Sequence, residues 1–517
     1  MSTASGARDG LSSVTRGTLF LLIATLCYVG LNFVARVIIT HTISTEEWSS
    51  FSLGLTIIGV VGSIGALGLT NAVARGLPYA HSDDERRGIV RGSVVISVAS
   101  AAISSIGLFL LGPELAGHLG LPDLGPTFEL FPLAVATSVV IGIIAAIFQG
   151  YEDVTPNALF VQILTPGFFV AFLGIAAILP SRLTFEAALV AYVAGNVAAL
   201  LLAVGYALQR LGHLLPAGPR APGAVGRLMN FAVPLFFVGL LGTLTGGGDS
   251  LVLGAYHAAE FGYYSNALTL ARLLQVGIGA AAYIFLPVAA RALRQKDNST
   301  IELTYVTVTK WMILFSLPLF LLFFVLPGPS LEFVYGAQYS HATLPLQITV
   351  LGAFVTTVLG PAANAQVAFG QARLLAYNAG IAAAVDVGLA FVLVPAFGMN
   401  GAAIAWTIAN ASYTALSLIE LAVLTHVHPF RPHFLVPLVV TAVPVGAVLS
   451  LAPVHYPLWS LPVIGVAIAG LFVLVVLATR SIDEGDRLLL GAFEGLVGRP
   501  LPTLRRIGRA GVRRPNR

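Results

Sequence analysis

Apolar runs of about 20 residues recur along the chain and are separated by short segments rich in Gly, Pro and charged residues. A run of this length is what one helix needs to cross the hydrocarbon core of a bilayer. The pattern predicts about fourteen transmembrane helices, at residues 17–40, 51–74, 89–111, 128–150, 158–180, 185–209, 228–248, 262–290, 305–326, 342–369, 374–395, 399–424, 433–452 and 457–478. We therefore predict an all-α, polytopic, multi-pass protein of the cytoplasmic membrane.

The basic residues orient these helices, because Lys and Arg collect in cytoplasmic loops. Of the 27 Lys and Arg residues, 24 fall on one side of the predicted membrane, Arg182 falls on the other, and Arg36 and Arg272 lie within spans. This bias places both termini in the cytoplasm.

Composition agrees with a membrane protein and excludes several other classes. The chain is 57% hydrophobic and only 10% charged, whereas soluble domains are about 25% charged. Its formal net charge of +4 is spread between the apolar runs, so we expect no nucleic-acid partner. The predicted loops are short, and the chain has no Gly-x-x-x-x-Gly-Lys motif for a nucleotide. We expect no enzymatic activity, cofactor or metal.

An internal repeat divides the predicted helices into two sets of six. A shift of 213 residues aligns Glu47–Thr56 with Glu260–Thr269. Because six is an even number, the two halves enter the membrane in the same orientation, and two such bundles facing a central cavity suit alternating access. The predicted parts are an N-terminal bundle at 1–209, a cytoplasmic linker at 210–227, a C-terminal bundle at 228–424, two extra helices at 425–480, and an amphipathic helix with a basic cytoplasmic tail at 481–517. The tail should bind anionic membrane lipids.

Several motifs, taken in order, resemble one family. They are Gly17, Asn32 and Arg36 in the first helix, Thr45-Glu46-Glu47-Trp48, Gly65–Leu69 before Arg75, Asp249–Gly254, Glu260–Tyr264, and Leu393–Ala405. Over about residues 15–425 the chain resembles the oligosaccharide and polysaccharide flippases of the multidrug, oligosaccharidyl-lipid and polysaccharide exporter superfamily. One departure is Asp386, at a position of the eleventh helix where that family tends to have Asn.

The resemblance implies a flippase that moves a polyprenyl phosphate- or diphosphate-linked oligosaccharide across the cytoplasmic membrane, for surface polysaccharide or glycoprotein glycan assembly. The partner would be the lipid-linked oligosaccharide, and we expect a monomer, with Na⁺ or H⁺ as candidate coupling ions. The alternative is an ion-coupled exporter of small molecules or drugs from the same superfamily. A membrane-embedded glycan polymerase is a third reading, although the outer loops carry only scattered acids.

Two ionisable residues fall near the predicted midplane, where such residues usually face a cavity or a partner. They are Arg272 in span eight and Asp386 in span eleven. Arg272 is a candidate for binding the phosphates of a lipid carrier, because a guanidinium binds phosphate through two parallel hydrogen bonds. The alternative is an Arg272–Asp386 ion pair that holds the second bundle together.

A second pair of charges lies nearer the outer side. The 213-residue shift places Arg36 on Asp249, so equivalent positions in the two halves carry opposite charges. We hypothesise that they meet as an outer gate; otherwise each side chain reaches the outer interface separately.

Four uncharged polar residues within or beside spans are candidate contacts for sugar hydroxyls: Asn32, Asn196, Gln275 and Asn364. The alternative is that their amides join neighbouring helices.

Overall fold

The computed structural model of the protein describes residues 2–119, 124–178, 184–211, 223–278, 285, 298–425, 432–451, 457 and 459–478. These residues form helices joined by short turns, and no strand occurs among them. The predicted all-α polytopic fold class is confirmed. Arg182, the middle of the predicted linker and the predicted amphipathic tail at 481–517 lie outside the described residues.

The chain divides into two compact units, Met1–Gly262 and Tyr263–Arg517. The helices of the first unit are α1 Ser2–Thr40, α2 Thr45–Ala66, α3 Leu69–Gly76, α4 Asp83–Leu119, α5 Leu124–Gly150, α6 Thr165–Ile178, α7 Phe185–Leu211, α8 Ala224–Thr245 and α9 Gly248–Tyr256. A π-helical segment at Asn157–Leu164 precedes α6, and 3₁₀ turns lie at Leu77–Tyr79 and Ala258–Glu260.

The second unit begins at Tyr263, inside α10, whose first two residues belong to the first unit. Its helices are α10 Phe261–Leu273, α11 Asn298–Val325, α12 Pro327–Tyr335, α13 Thr343–Leu359, α14 Pro361–Ala368, α15 Ala372–Thr425, α16 Pro432–Leu451 and α17 Ser460–Ala478. A 3₁₀ turn at Ala337–Ala342 joins α12 to α13.

Ten helical stretches among the described residues are long and apolar enough to cross a membrane, and two shorter apolar helices follow them. One of the ten, α15, contains a break at Gly398 (φ 54°, ψ −133°). A Cβ at Gly401 would lie 2.5 Å from the Leu393 carbonyl oxygen, so this turn has no room for a side chain there. The break falls where the sequence separates spans eleven and twelve. The total of fourteen spans stays a prediction.

Spans two and seven differ from the uninterrupted helices predicted for them. Leu67 and Gly68 have left-handed backbone (φ 48° and 68°) and separate α2 from α3. Gly246 and Gly247 separate α8 from α9, and the helical chain continues to Tyr256, beyond the predicted end of span seven at residue 248. Non-helical backbone at membrane depth is tolerated where protein covers it. At Gly68 the cover is α8, since a Cβ there would lie 2.4 Å from the Ala232 carbonyl oxygen.

The interior of the first unit is built around α5. Phe51 of α2, Phe131 of α5, Phe169 of α6 and Tyr192 of α7 form a ring cluster with centroids 5.1–6.3 Å apart. Helices α8 and α9 pack against α2 and α4 and therefore fall in the first unit. The bundle boundaries at 209 and 228 rest on the repeat and stay a prediction.

Candidate functional site

The start of α2 is fixed by local hydrogen bonds. The Ser44 hydroxyl accepts the backbone N–H of Glu47 at 3.2 Å, and the Glu47 carboxylate accepts the backbone N–H of Ser44 at 2.8 Å. This reciprocal pair satisfies two N–H groups that a helix end leaves without partners. It sets the direction in which the next residues, Trp48 and Ser49, leave the first turn.

Trp48 and Ser49 then bind the turn before α10 and the first turn of α10 itself, where Gly262 lies. The Trp48 indole N–H donates to the Gly262 carbonyl at 3.3 Å. The Ser49 hydroxyl donates to the Ala259 carbonyl at 3.0 Å and accepts the Gly262 N–H at 3.0 Å. Trp48 is 1% exposed and Ser49 is fully buried. We call this set of hydrogen bonds the axis contact.

The axis contact joins equivalent positions of the repeat. The 213-residue shift that defines the repeat places Ser49 on Gly262, and these two residues are hydrogen-bonded to each other. Residues related by a two-fold axis touch each other only next to that axis. In the predicted repeat, this contact would lie next to the pseudo-axis. In the predicted topology, this is the outer end of the helices.

Packing at the axis contact leaves no space for a side chain on Gly262. A Cβ there would lie 2.6 Å from the Ser49 hydroxyl oxygen and 2.8 Å from Trp48 Cδ1. One turn further along α2, Leu53 packs against Gly254 of α9, where a Cβ would lie 2.6 Å from Leu53 Cδ1. Glycine at these two positions allows α2 to approach α9 and the start of α10 this closely.

Arg36, predicted as half of a gate, lies beside the axis contact. Its guanidinium stands over the Trp48 ring, 4.9 Å from the ring centroid, in a cation–π arrangement. Asp249 is fully buried in the first turn of α9 and accepts the Ser250 hydroxyl at 3.3 Å. The positive end of the α9 dipole favours a carboxylate there. A direct Arg36–Asp249 contact stays a prediction.

The two residues predicted near the midplane have different environments. Arg272 is exposed in the last turn of α10, and Asp386 is fully buried in α15. Span eight was predicted as one helix over 262–290, but α10 ends directly after Arg272, where Leu274 and Gln275 form a turn. The proposed ion pair between the two residues stays a prediction.

The four predicted polar contacts lie on different elements. The Asn32 and Asn196 amides donate to carbonyls of their own helices, at Tyr28 (2.8 Å) and Tyr192 (2.9 Å). Gln275 and Asn364 are half-buried, Gln275 in the turn after α10 and Asn364 in α14. The amide hydrogen bonds of Asn32 and Asn196 thus each stay within the residue's own helix, α1 and α7.

A polar cluster in the second unit was missed by the sequence reasoning. One oxygen of Glu420 accepts amide N–H groups from Gln366 at 2.7 Å and from Asn378 at 2.8 Å. Asn378 also lies 3.4 Å from the Ser417 hydroxyl. Gln366, Asn378 and Ser417 are buried. The cluster ties α14 to both segments of α15. The available signal was an acidic residue inside span twelve.

Comparison with known proteins adds the family. A family model described as Polysaccharide biosynthesis protein matches residues 14–293, more than half of the chain. The chain is also similar to the Succinoglycan biosynthesis transport protein ExoT of Rhizobium meliloti (strain 1021), with 23% identity over 354 residues that cover 67% of each protein.

Two solved structures share the fold. Lipid II flippase MurJ, in an inward closed conformation, matches with a TM-score of 0.69 and 14% identity over 88% of this chain and 98% of that one. An inward-facing multidrug resistance MATE family transporter of the MOP superfamily matches with a TM-score of 0.63 and 14% identity over 78% of this chain and 97% of that one. At this level of identity the similarity concerns the fold alone.

Proposed function

The chain belongs to the polysaccharide biosynthesis protein family, which confirms the resemblance seen in its motifs, and from this premise we propose that it is a flippase. Its substrate is an oligosaccharide linked to a polyprenyl phosphate or diphosphate, moved from the cytoplasmic to the outer leaflet for surface polysaccharide or glycoprotein glycan assembly. The protein has no enzymatic activity of its own in this proposal. It works as a monomer with both termini in the cytoplasm, driven by Na⁺ or H⁺.

The axis contact is the observation that carries the proposal. Three hydrogen bonds join the start of α2 to Ala259 and Gly262 at the predicted outer end, and one of them joins Ser49 to Gly262, its equivalent in the repeat. We infer that this contact closes the outer side and opens during transport. Hydrogen bonds inside membrane proteins contribute about 0.6 kcal/mol each on average. The contact is therefore weak enough for a ligand or an ion gradient to open it.

Arg36 supports this gate from the side. A guanidinium stacked on Trp48 holds the indole in the orientation in which its N–H reaches Gly262. This position agrees better with a gate than with a side chain that merely reaches the interface. Asp249 is the acidic member of the gate, thirteen residues before Gly262.

Arg272 is the residue we assign to the substrate phosphates. Its guanidinium is exposed and lies at a helix end within a predicted span. A guanidinium binds phosphate through hydrogen bonds between two charged groups, which are the strong ones. Asp386, Asn32, Asn196, Gln275 and Asn364 stay candidate contacts for the headgroup.

The fold alone also fits an exporter of small molecules, because a MATE transporter shares it. The family match favours the glycolipid, since it covers residues 14–293 and is described by polysaccharide biosynthesis. The two functions differ in substrate and agree in mechanism.

A reversible lock on the axis contact tests the mechanism. We would replace the single cysteine, Cys27, by Ser and introduce Ser49→Cys with Gly262→Cys, whose side chains would be in direct contact. Oxidation should stop the transbilayer movement of a fluorescent polyprenyl diphosphate oligosaccharide in proteoliposomes, and reduction should restore it to the level of a Gly262→Cys single variant, whose added Cβ alone already crowds Ser49. A matched Ser49→Cys single variant should be insensitive to oxidant. Undiminished movement in the oxidised double variant would refute the gate.

A further inference from the structure

A cavity of about 440 Å³ lies in the first unit where α3, the start of α4 and the start of α8 meet. Its apolar walls include Ala72 of α3, Ile89 of α4 and Leu228 of α8, all buried. In the predicted topology these helix ends face the cytoplasm. The volume suits a small ligand, and the walls suit the apolar part of that ligand.

An ion pair stands at the rim of the cavity. Arg227 of α8 and Glu85 of α4 both line it, with a guanidinium nitrogen 2.6 Å from a carboxylate oxygen. The other carboxylate oxygen accepts the backbone N–H of His81 at 3.0 Å. The Glu85 side chain is 16% exposed and that of Arg227 is 61% exposed. The carboxylate thus lies inside, and the guanidinium, which carries five N–H donors, reaches it from the open side.

A second guanidinium lies next to the same cavity. Phe231 lines the cavity one helical turn after Arg227, and Arg75 of α3 stands over the Phe231 ring at 4.9 Å. Tyr79, at the rim, is 72% exposed. Exposed tyrosines and arginines beside an apolar surface are typical of the zone where lipid headgroups meet protein.

We propose that this cavity binds the headgroup of an anionic phospholipid from the cytoplasmic leaflet. Arg227 binds the phosphate oxygens in place of the Glu85 carboxylate, and Arg75 adds a second positive charge. The apolar walls receive the glycerol and the first carbons of the chains. A volume of about 440 Å³ suits a phospholipid headgroup better than a glycan-bearing diphosphate. The site does not depend on the proposed function.

Two substitutions at the rim give opposite predictions for a lipid site. Arg227→Gln removes the phosphate ligand and should weaken binding of phosphatidylglycerol about tenfold or more. Glu85→Gln removes the anion that competes for Arg227 and should strengthen binding, even if the lipid-free protein is less stable. Arg210→Gln is the matched control, because Arg210 is an exposed arginine of α7 stacked on Tyr206 and does not line the cavity.

The measurement is the rise in melting temperature of the full-length protein in neutral detergent as lipid is added. Phosphatidylglycerol should raise the melting temperature most for Glu85→Gln, less and equally for wild type and Arg210→Gln, and least for Arg227→Gln. Equal responses in all four proteins would show a structural ion pair only and overturn the proposal. So would equal stabilisation by phosphatidylcholine, or stabilisation by polyprenyl phosphate without phosphatidylglycerol. If Arg227→Gln does not fold, the sign of the Glu85→Gln effect still decides.

Discussion

Replacing Gly262 by Ala should open the axis contact. The added Cβ would lie 2.6 Å from the Ser49 hydroxyl oxygen and 2.8 Å from Trp48 Cδ1, whereas ordinary contacts begin at about 3.4 Å. Overpacking of this kind costs about 1–3 kcal/mol. Because the clash exists only while the contact is closed, the closed-to-open ratio should fall about 5- to 150-fold.

The assay is labelling of a buried cysteine placed one turn along α2 from the contact. Ser52 lies one turn after Ser49 on α2 and is 2% exposed, so Ser52→Cys in a Cys27→Ser background reports opening. A membrane-impermeant maleimide added from outside should react with the Gly262→Ala variant about 5 to 150 times faster than with its parent, because labelling follows the open population when opening is fast.

Two further glycines serve as controls for the same substitution. Gly59→Ala in α2 places its Cβ in open space, with nothing within 4 Å, and should leave the labelling rate unchanged. Gly254→Ala meets only the flexible end of Leu53 and should give an intermediate rate. If Gly262→Ala and Gly59→Ala label equally, the axis contact does not close the outer side.

Three other substitutions test separate parts of the account. Trp48→Phe keeps an aromatic ring under Arg36 but removes the N–H that binds Gly262, so outside labelling should rise about 2- to 10-fold, as expected for one hydrogen bond. Arg272→Gln should lower glycolipid flipping about tenfold or more in proteoliposomes, and Arg272→Lys should lower it less, since Lys keeps the charge but not the fork of donors; equal losses would argue against phosphate binding. Glu420→Gln weakens two hydrogen bonds to a carboxylate and should cost about 1–3 kcal/mol of stability, seen as a lower melting temperature than for Glu114→Gln on an exposed residue; equal melting would deny the cluster a structural role.

The helical architecture was readable from the sequence because long apolar runs have few alternatives in a bilayer. The break in α15 was readable too, since Pro395 and Gly398 interrupt an apolar run. The breaks at Leu67–Gly68, Gly246–Gly247 and Leu274–Gln275 were not predicted. They lie inside apolar or neutral stretches, and hydropathy records whether a segment prefers lipid without recording where its backbone leaves the helix.

The candidate site was predictable only in part. The repeat placed Ser49 on Gly262, but equivalence along the chain does not say which equivalent residues meet at the axis. The sequence reasoning followed charge to Arg36 and Asp249, while the hydrogen bonds at the axis come from uncharged residues. Glu420 escaped notice because its partners Gln366 and Asn378 lie 54 and 42 residues away, and only the fold brings them together.

A direct comparison of two substrates tests the central claim. The protein would be reconstituted in liposomes with either a fluorescent polyprenyl diphosphate oligosaccharide or a small organic cation, under the same Na⁺ or H⁺ gradient, with the oxidised Ser49→Cys/Gly262→Cys protein as the blank. A flippase of lipid-linked oligosaccharides should accelerate movement of the glycolipid and move none of the cation. Export of the cation without movement of the glycolipid would contradict the proposed function.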